Sequence, residues 1–151
     1  MKPWIDYVIE VPGKPIAKKR PRFFARNGRC GAENIQATEE GKFMLLARSE
    51  LKRAGFPKVT DKGTPVRLTC QFMFEYPASM SKKLKARNPD HTKKPDADNC
   101  LKFVKDCLNG IAWHDDSQVY HVTGWKMYGE TAKTVITISL PNPEFSKAGA
   151  F

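Results

Sequence analysis

Membrane-spanning stretches are missing from this chain: no segment offers the roughly 18 or more consecutive apolar residues that a span requires. Cysteine is scarce. The four thiols are Cys30, Cys70, Cys100 and Cys107, and no two form a CxxC pair. Cys100 and Cys107 would stand about 10 Å apart on one helix, too far for a disulfide. Histidine is scarcer still, and the scattered His91, His114 and His121 give little support to a structural zinc site. Acidic residues are in the minority, 16 against 26 basic ones, for a formal charge of +10. That excess favours a polyanionic partner, but charge alone does not separate DNA, RNA and an anionic membrane surface. Asp6 and Glu10 interrupt any hydrophobic signal-peptide core, so the expectation is an intracellular, cytoplasmic protein with no membrane partner.

What is present suits one compact domain. The chain has 151 residues, 40% of them hydrophobic and 11% aromatic. A domain of that length buries about 68–70% of its unfolded surface, enough for a real core. The 11 prolines and 10 glycines imply substantial loops. The whole chain, 1–151, therefore reads as a single domain with a loose tail from about 141.

Alternating Ile5, Tyr7, Ile9 and Val11 predict a strand over Trp4–Val11, which Pro12-Gly13 punctuates. Residues 14–29 are a basic stretch with no acidic residue, expected to form a defined loop. Met44, Ala47, Leu51 and Ala54 make an apolar stripe on a helix over about 36–54, which Gly55 can end. A polar turn over 60–65 leads to the clearest strand, Val66–Tyr76, with Val66, Leu68, Cys70, Phe72 and Phe74 on one side. A short helix follows Ser81, and the loop Arg87–Pro95 adds positive charge. Another helix should run from near Asp98 to about Asn109, with Leu101, Val104, Leu108 and Ile111 inward. Two last strands, near Ser117–Tyr128 and Thr134–Leu140, are expected as a hairpin joined by Gly129–Ala132. The element order suggests a two-layer α/β (α+β) fold with a mixed or antiparallel sheet packed against helices.

The most informative segment is Lys94-Pro95-Asp96-Ala97-Asp98-Asn99. Pro95 keeps Lys94 extended, so Asp96 lies on the approach to the helix and Asp98 in its first turn. Two carboxylates one residue apart converge on a metal if the backbone between them is not helical; otherwise they are a turn and a cap. The second acidic element is Trp113-His114-Asp115-Asp116. If this loop folds back across the helix N-terminus, Asp116 or Asp115 joins Asp96 and Asp98, and three carboxylates suit Mg²⁺. The plainer alternative is loop charge. Lys102, four residues after Asp98, can neutralise it, touch a phosphate, or stand solvated in an ordinary i,i+4 pair.

Lys14, Lys18, Lys19, Arg20 and Arg22, followed by Phe23-Phe24, can contact nucleic-acid phosphates or simply keep a loop solvated. Phosphate contacts would give salt-dependent affinity without base specificity. Trp113 and Trp125 are read as packing residues before stacking ones, because of their apolar area.

These segments, with Leu101-Lys102, Asp106-Cys107-Leu108-Asn109-Gly110, Trp113 through Val119, Val11 through Pro15 and Lys18 through Arg22, resemble the RusA-like Holliday junction resolvases over about residues 7–128. A DxD pair alone is weak; the ordered combination is specific. The resemblance implies a small homodimeric, Mg²⁺-dependent endodeoxyribonuclease of α/β fold, with Mn²⁺ a plausible substitute, that cuts branched DNA and notably four-way junctions. It puts the catalytic and metal-binding carboxylates on Asp96, Asp98 and Asp116, the catalytic lysine on Lys102, a supporting carboxylate on Asp115, and DNA contacts on the basic N-terminal loop. The chain departs from the family around Cys30-Gly31-Ala32-Glu33, where a tyrosine-containing segment is frequent. Many such proteins come from phages or prophages. The alternatives to junction resolution are a non-catalytic branched-DNA-binding protein and a less selective flap or single-strand nuclease.

Overall fold

A computed structural model describes residues 2–57 and 61–147. Thr60 of the expected turn and the tail beyond Lys147 lie outside them. The elements are β1 (Trp4–Pro12), β2 (Arg22–Arg26), β3 (Arg29–Glu33), α1 (Ala37–Arg53), β4 (Val66–Glu75), α2 (Lys82–Lys85), α3 (Ala97–Leu108), β5 (Val119–Gly129), β6 (Lys133–Pro141) and α4 (Pro143–Lys147), with a 3₁₀ turn at Asp116–Gln118 ahead of β5. A mixed sheet of order β1-β6-β4-β5 packs against α1 and α3, and β2 pairs with β3 in a separate ribbon. Among the described residues no helix is long and apolar enough to cross a membrane.

The alternation along β4 explains its central place. Val66, Leu68, Cys70, Phe72 and Phe74 are buried on the helix side, and both edges of the strand are paired. In register, Ile136 of β6 sits between Ile9 of β1 and Cys70 of β4, and Ile138 between Tyr7 and Leu68. Each such row presents one continuous apolar band to the helices, the pattern expected of a sheet covered on one face. Phe43 of α1 meets Phe103 of α3 edge to face at 5.3 Å over that band.

The helices are where expected, with their faces turned slightly. α1 buries Phe43, Ala47 and Leu51, while Met44 is half-buried and Ala54 is exposed at the C-cap. Gly55 adopts φ 72°, the left-handed conformation that closes a helix. α3 buries Cys100, Phe103, Val104, Cys107 and Leu108, leaving Leu101 and Ile111 half-buried. Burial pushes the thiols of Cys70 and Cys107 up to about 12 and that of Cys100 to about 11.

Three expectations need correction. β5 and β6 are not a hairpin, because β4 lies between them. β5 runs parallel to β4 and β6 antiparallel. Strands two places apart are only about 9.6 Å apart, so residues 130–132 pass over the end of β4 with ease. Tyr76 N–H donates to the Gly129 carbonyl at 3.1 Å under that crossing. A Cβ on Gly129 would come within 2.3 Å of Met73 Sδ, so a larger residue there would require the Met73 side chain to move. Second, the basic stretch is not a plain loop: residues 22–33 form the β2–β3 ribbon, turning at Asn27-Gly28, both with positive φ. Third, Asn142, at the start of the expected loose tail, is tied down. Asn142 N–H donates to Pro3 O at 2.8 Å and its side chain to Lys2 O at 2.9 Å, ahead of α4.

Candidate active site

Asp96 and Asp98 stand together at the start of α3. Asp96 is the N-cap, with extended backbone (φ −73°, ψ 142°), and its side chain makes no capping bond. Ala97 is already helical, so the extended residue is Asp96 itself rather than the one between the two carboxylates. Asp96 Oδ1 accepts from Lys94 Nζ at 3.0 Å, with both side chains at least half exposed. A pair so open to water is worth little, about 0–1 kcal/mol. Among the described residues no side-chain hydrogen bond or ion pair is made by Asp98 or Lys102, and both are exposed, so the i,i+4 pair is not formed. Burial is the main cause of the raised Cys100 thiol; Lys126 works against it, and Asp98 and Asp96 add to it.

Asp116 lies at the other end of the same helix. After α3 the chain turns tightly: Ile111 and Ala112 N–H donate to Leu108 O, and Gly110 N–H donates to Trp113 O at 2.7 Å. Fully buried Trp113 donates Nε1–H to Asp116 Oδ1 at 2.9 Å. β5 then runs back along α3. A Cβ on Gly124 would strike Leu101, and Lys126 Nζ donates to Lys93 O beside the start of α3. A helix of 12 residues is about 18 Å long. The acidic loop therefore does not fold back across the helix N-terminus. Among the described residues no group of three or more His, Cys, Asp or Glu could hold a metal ion.

Asp115 has a different task. It caps the 3₁₀ turn, accepting from the Ser117 hydroxyl and from Ser117 N–H, while Gln118 Oε1 accepts from His114 N–H and Asp115 N–H. The Ser117 hydroxyl, then its backbone N–H, hold the Asp115 carboxyl below its usual range. Buried Gln118 also donates to Asp61 O and Thr64 O, fastening the turn to the loop before β4.

The basic segment is a strap. Buried Gln36 accepts from Lys19 N–H at 2.7 Å and donates to Ala17 O at 2.8 Å, and Lys18 N–H donates to Asn99 O at 2.9 Å. These bonds fix residues 17–19 between the starts of α1 and α3. Lys18, expected at DNA, instead bridges Glu40 at 2.8 Å and Asp106 at 3.1 Å. The hydrogen bond to Glu40 is the main reason its ammonium sits above 10.5, and the same bond holds Glu40 below 4.5. Lys14, Lys19, Arg20 and Arg22 remain exposed, Lys19 with a loose 3.6 Å contact to Glu39. Lys93 and Lys94 were not singled out from the sequence, although they sit three and two residues before Asp96; Lys14 and Lys94 line a common cleft with Lys19 and Pro95. The signal was the charged loop 87–95, read there only as additional charge.

A one-sided mixed sheet carries exposed carboxylates at one helix start and a strapped cationic segment beside them, an α/β scaffold with charge suited to a polyanion. The chain belongs to the endodeoxyribonuclease RusA family, whose description matches residues 12–139. It is also 31% identical over 135 residues to the uncharacterized protein YqaN of Bacillus subtilis (strain 168), covering 85% of this chain and 92% of that one. Family membership supports nuclease activity on branched DNA.

Proposed function

We propose that this protein is a Mg²⁺-dependent endonuclease that resolves four-way DNA junctions as a homodimer. The observation that carries this reading is the family match across both acidic elements, joined to the exposure of Asp96, Asp98 and Lys102 beside the cationic strap. Asp96 and Asp98 fit a hard cation: they offer exposed oxygen donors that are not used up inside the fold. Two carboxylates are a partial set, and the third comes from the second copy. β5 is an edge strand with Tyr120, Val122 and Trp125 exposed. A two-fold axis near the middle of β5 brings the beginning of one β5 against the end of the other. Asp116 of one subunit then approaches Asp96 and Asp98 of its partner.

When bound, Mg²⁺ supplies Lewis-acid stabilisation of phosphate oxygens and a more acidic water. The chain supplies the rest. Asp96, Asp98 and the second copy's equivalent of Asp116 hold the ion, and Lys102 balances negative charge at the phosphate under attack. Lys14, Lys19, Arg20 and Arg22 bind backbone phosphates and set the strand's path, so affinity is strongly salt-dependent. Two equivalent sites suit paired incisions across a symmetric junction. The test is cleavage of synthetic four-way, flap, linear-duplex and single-stranded DNA with and without Mg²⁺. Metal-dependent nicking of the junction alone supports the reading. Junction binding without nicking makes the protein a binding module, and equal cutting of flaps makes it a less selective nuclease.

A further inference from the structure

Beside Asp96 a second cleft, of about 350 Å³, is walled by Lys14, Lys93, Lys94, His91, Tyr128 and Glu75. Three ammonium groups face one carboxylate there, so the cleft is cationic. Lys94 reaches from it to Asp96 at 3.0 Å, which puts it next to the proposed cutting site. Lys14 and Lys94 also line the adjoining cleft with Lys19, so the cationic wall is continuous past the start of α3.

His91 is the feature that a merely solvated lysine cluster does not explain. It is only 8% exposed, and among the described residues its buried Nδ1 meets no other residue at hydrogen-bond geometry. Its ring is held in place, stacked on Phe74 at 3.9 Å and tilted against Tyr128 at 4.9 Å. Buried polar atoms in folded proteins are nearly always paired, so each exception calls for a reason. Burial lowers the imidazole's proton affinity below the ordinary 6.5, with Lys126 and then Lys93 and Lys14 adding to it, against a hydrogen bond to the residue's own backbone that raises it. A neutral ring offers one N–H donor and one acceptor without adding charge. An anion with several acceptor oxygens, too large for a single lysine to cover, fits this set.

We propose that this cleft is a subsite for one backbone phosphate of the bound DNA, neighbouring the phosphate that is cut, held by Lys14, Lys93 and the His91 ring. The inference rests on the nuclease reading above and adds a clamp that sets where along the strand the cut falls. The clamp explains why the loop before Asp96 is cationic and pinned: Lys126 holds the Lys93 carbonyl, so the phosphate and the carboxylates share one rigid edge.

The experiment uses the full-length D98N protein and a fluorescently labelled four-way junction, with dissociation constants measured over a salt series. Lys14→Ala/Lys93→Ala is expected to weaken binding about tenfold and to reduce the salt slope by about one. His91→Phe keeps the ring stack and removes both nitrogens. It should leave the melting temperature equal or higher and still weaken binding several-fold, a combination that a structural role would not give. A scan of single neutral methylphosphonate linkages near the cut should find one position that weakens the D98N protein but not the Lys14→Ala/Lys93→Ala variant. Unchanged affinity and slope in the double variant, or unchanged binding by His91→Phe, overturns the proposal. Failure of the D98N protein to bind the junction at all would instead sink the nuclease reading.

Discussion

The two ends of α3 carry the same type of side chain under opposite conditions. At its start, Asp96 and Asp98 are open to water, and among the described residues the one ion pair they make is the exposed contact of Asp96 with Lys94. At its end, Asp116 accepts from a buried tryptophan and Asp115 closes a turn. Carboxylates at the first end are available for an outside cation; those at the second also hold the chain together. Truncating a carboxylate should therefore cost activity alone at one end and activity together with stability at the other.

The largest effect expected is on cleavage. Asp98→Asn should lower junction cleavage about 10³-fold, in the range seen when an electrostatic group of a transition state is lost. Its stability should fall by less than about 1 kcal/mol, the helix-dipole share of one first-turn carboxylate. Gel cleavage and urea unfolding of the same preparation check both.

The other end should behave differently. Asp116→Ala leaves the Trp113 N–H buried and unpaired, which costs about 1–3 kcal/mol. Asp116→Asn keeps an acceptor oxygen and should unfold close to wild type, while both variants lose cleavage. Equal stability for the two would mean that the Trp113 bond is not holding the turn.

A smaller effect tests the strap. Lys18→Met should reduce stability by about 1 kcal/mol, the scale of a partly exposed bridge, and weaken junction binding less than Lys14→Ala does. Its pH dependence has a definite sign. Glu40 is held below 4.5, so its share of stability is present above 4.5 and disappears as pH falls through the lowered value. Lys18 is held above 10.5, so its share is present below 10.5 and is lost as pH rises through the raised value. The gap between wild type and Lys18→Met should thus narrow at both extremes in urea titrations across pH.

Local pattern made much of this molecule legible in the sequence. The alternation of Val66 to Phe74 named the central strand, Gly55 marked the end of α1, and Pro95-Asp96-Ala97-Asp98 marked the start of α3. What depends on distant partners was not legible. Lys18 looks like any other basic residue until Glu40 and Asp106 close on it from two helices. The β2–β3 ribbon escaped because its residues mix charge and apolar surface, with Phe23 80% exposed, so no buried face marks a strand. The short link over 130–132 looks like a hairpin turn although it crosses the end of β4. The acidic residues of the proposed site form a recognisable motif in the sequence. Whether the Asp115-Asp116 loop folds back to the start of α3 was not legible, because that depends on the turn after Leu108.

The central claim is that a working site draws its carboxylates from two copies of the chain. Asp98→Asn and Asp116→Asn proteins, each inactive alone, can be co-expressed or mixed under conditions that exchange subunits. In a mixed dimer one site would combine both altered residues and the other would have neither. Junction nicking should then return in the mixture, one strand per junction. A mixture as inactive as its two components, with subunit exchange verified, would contradict the account.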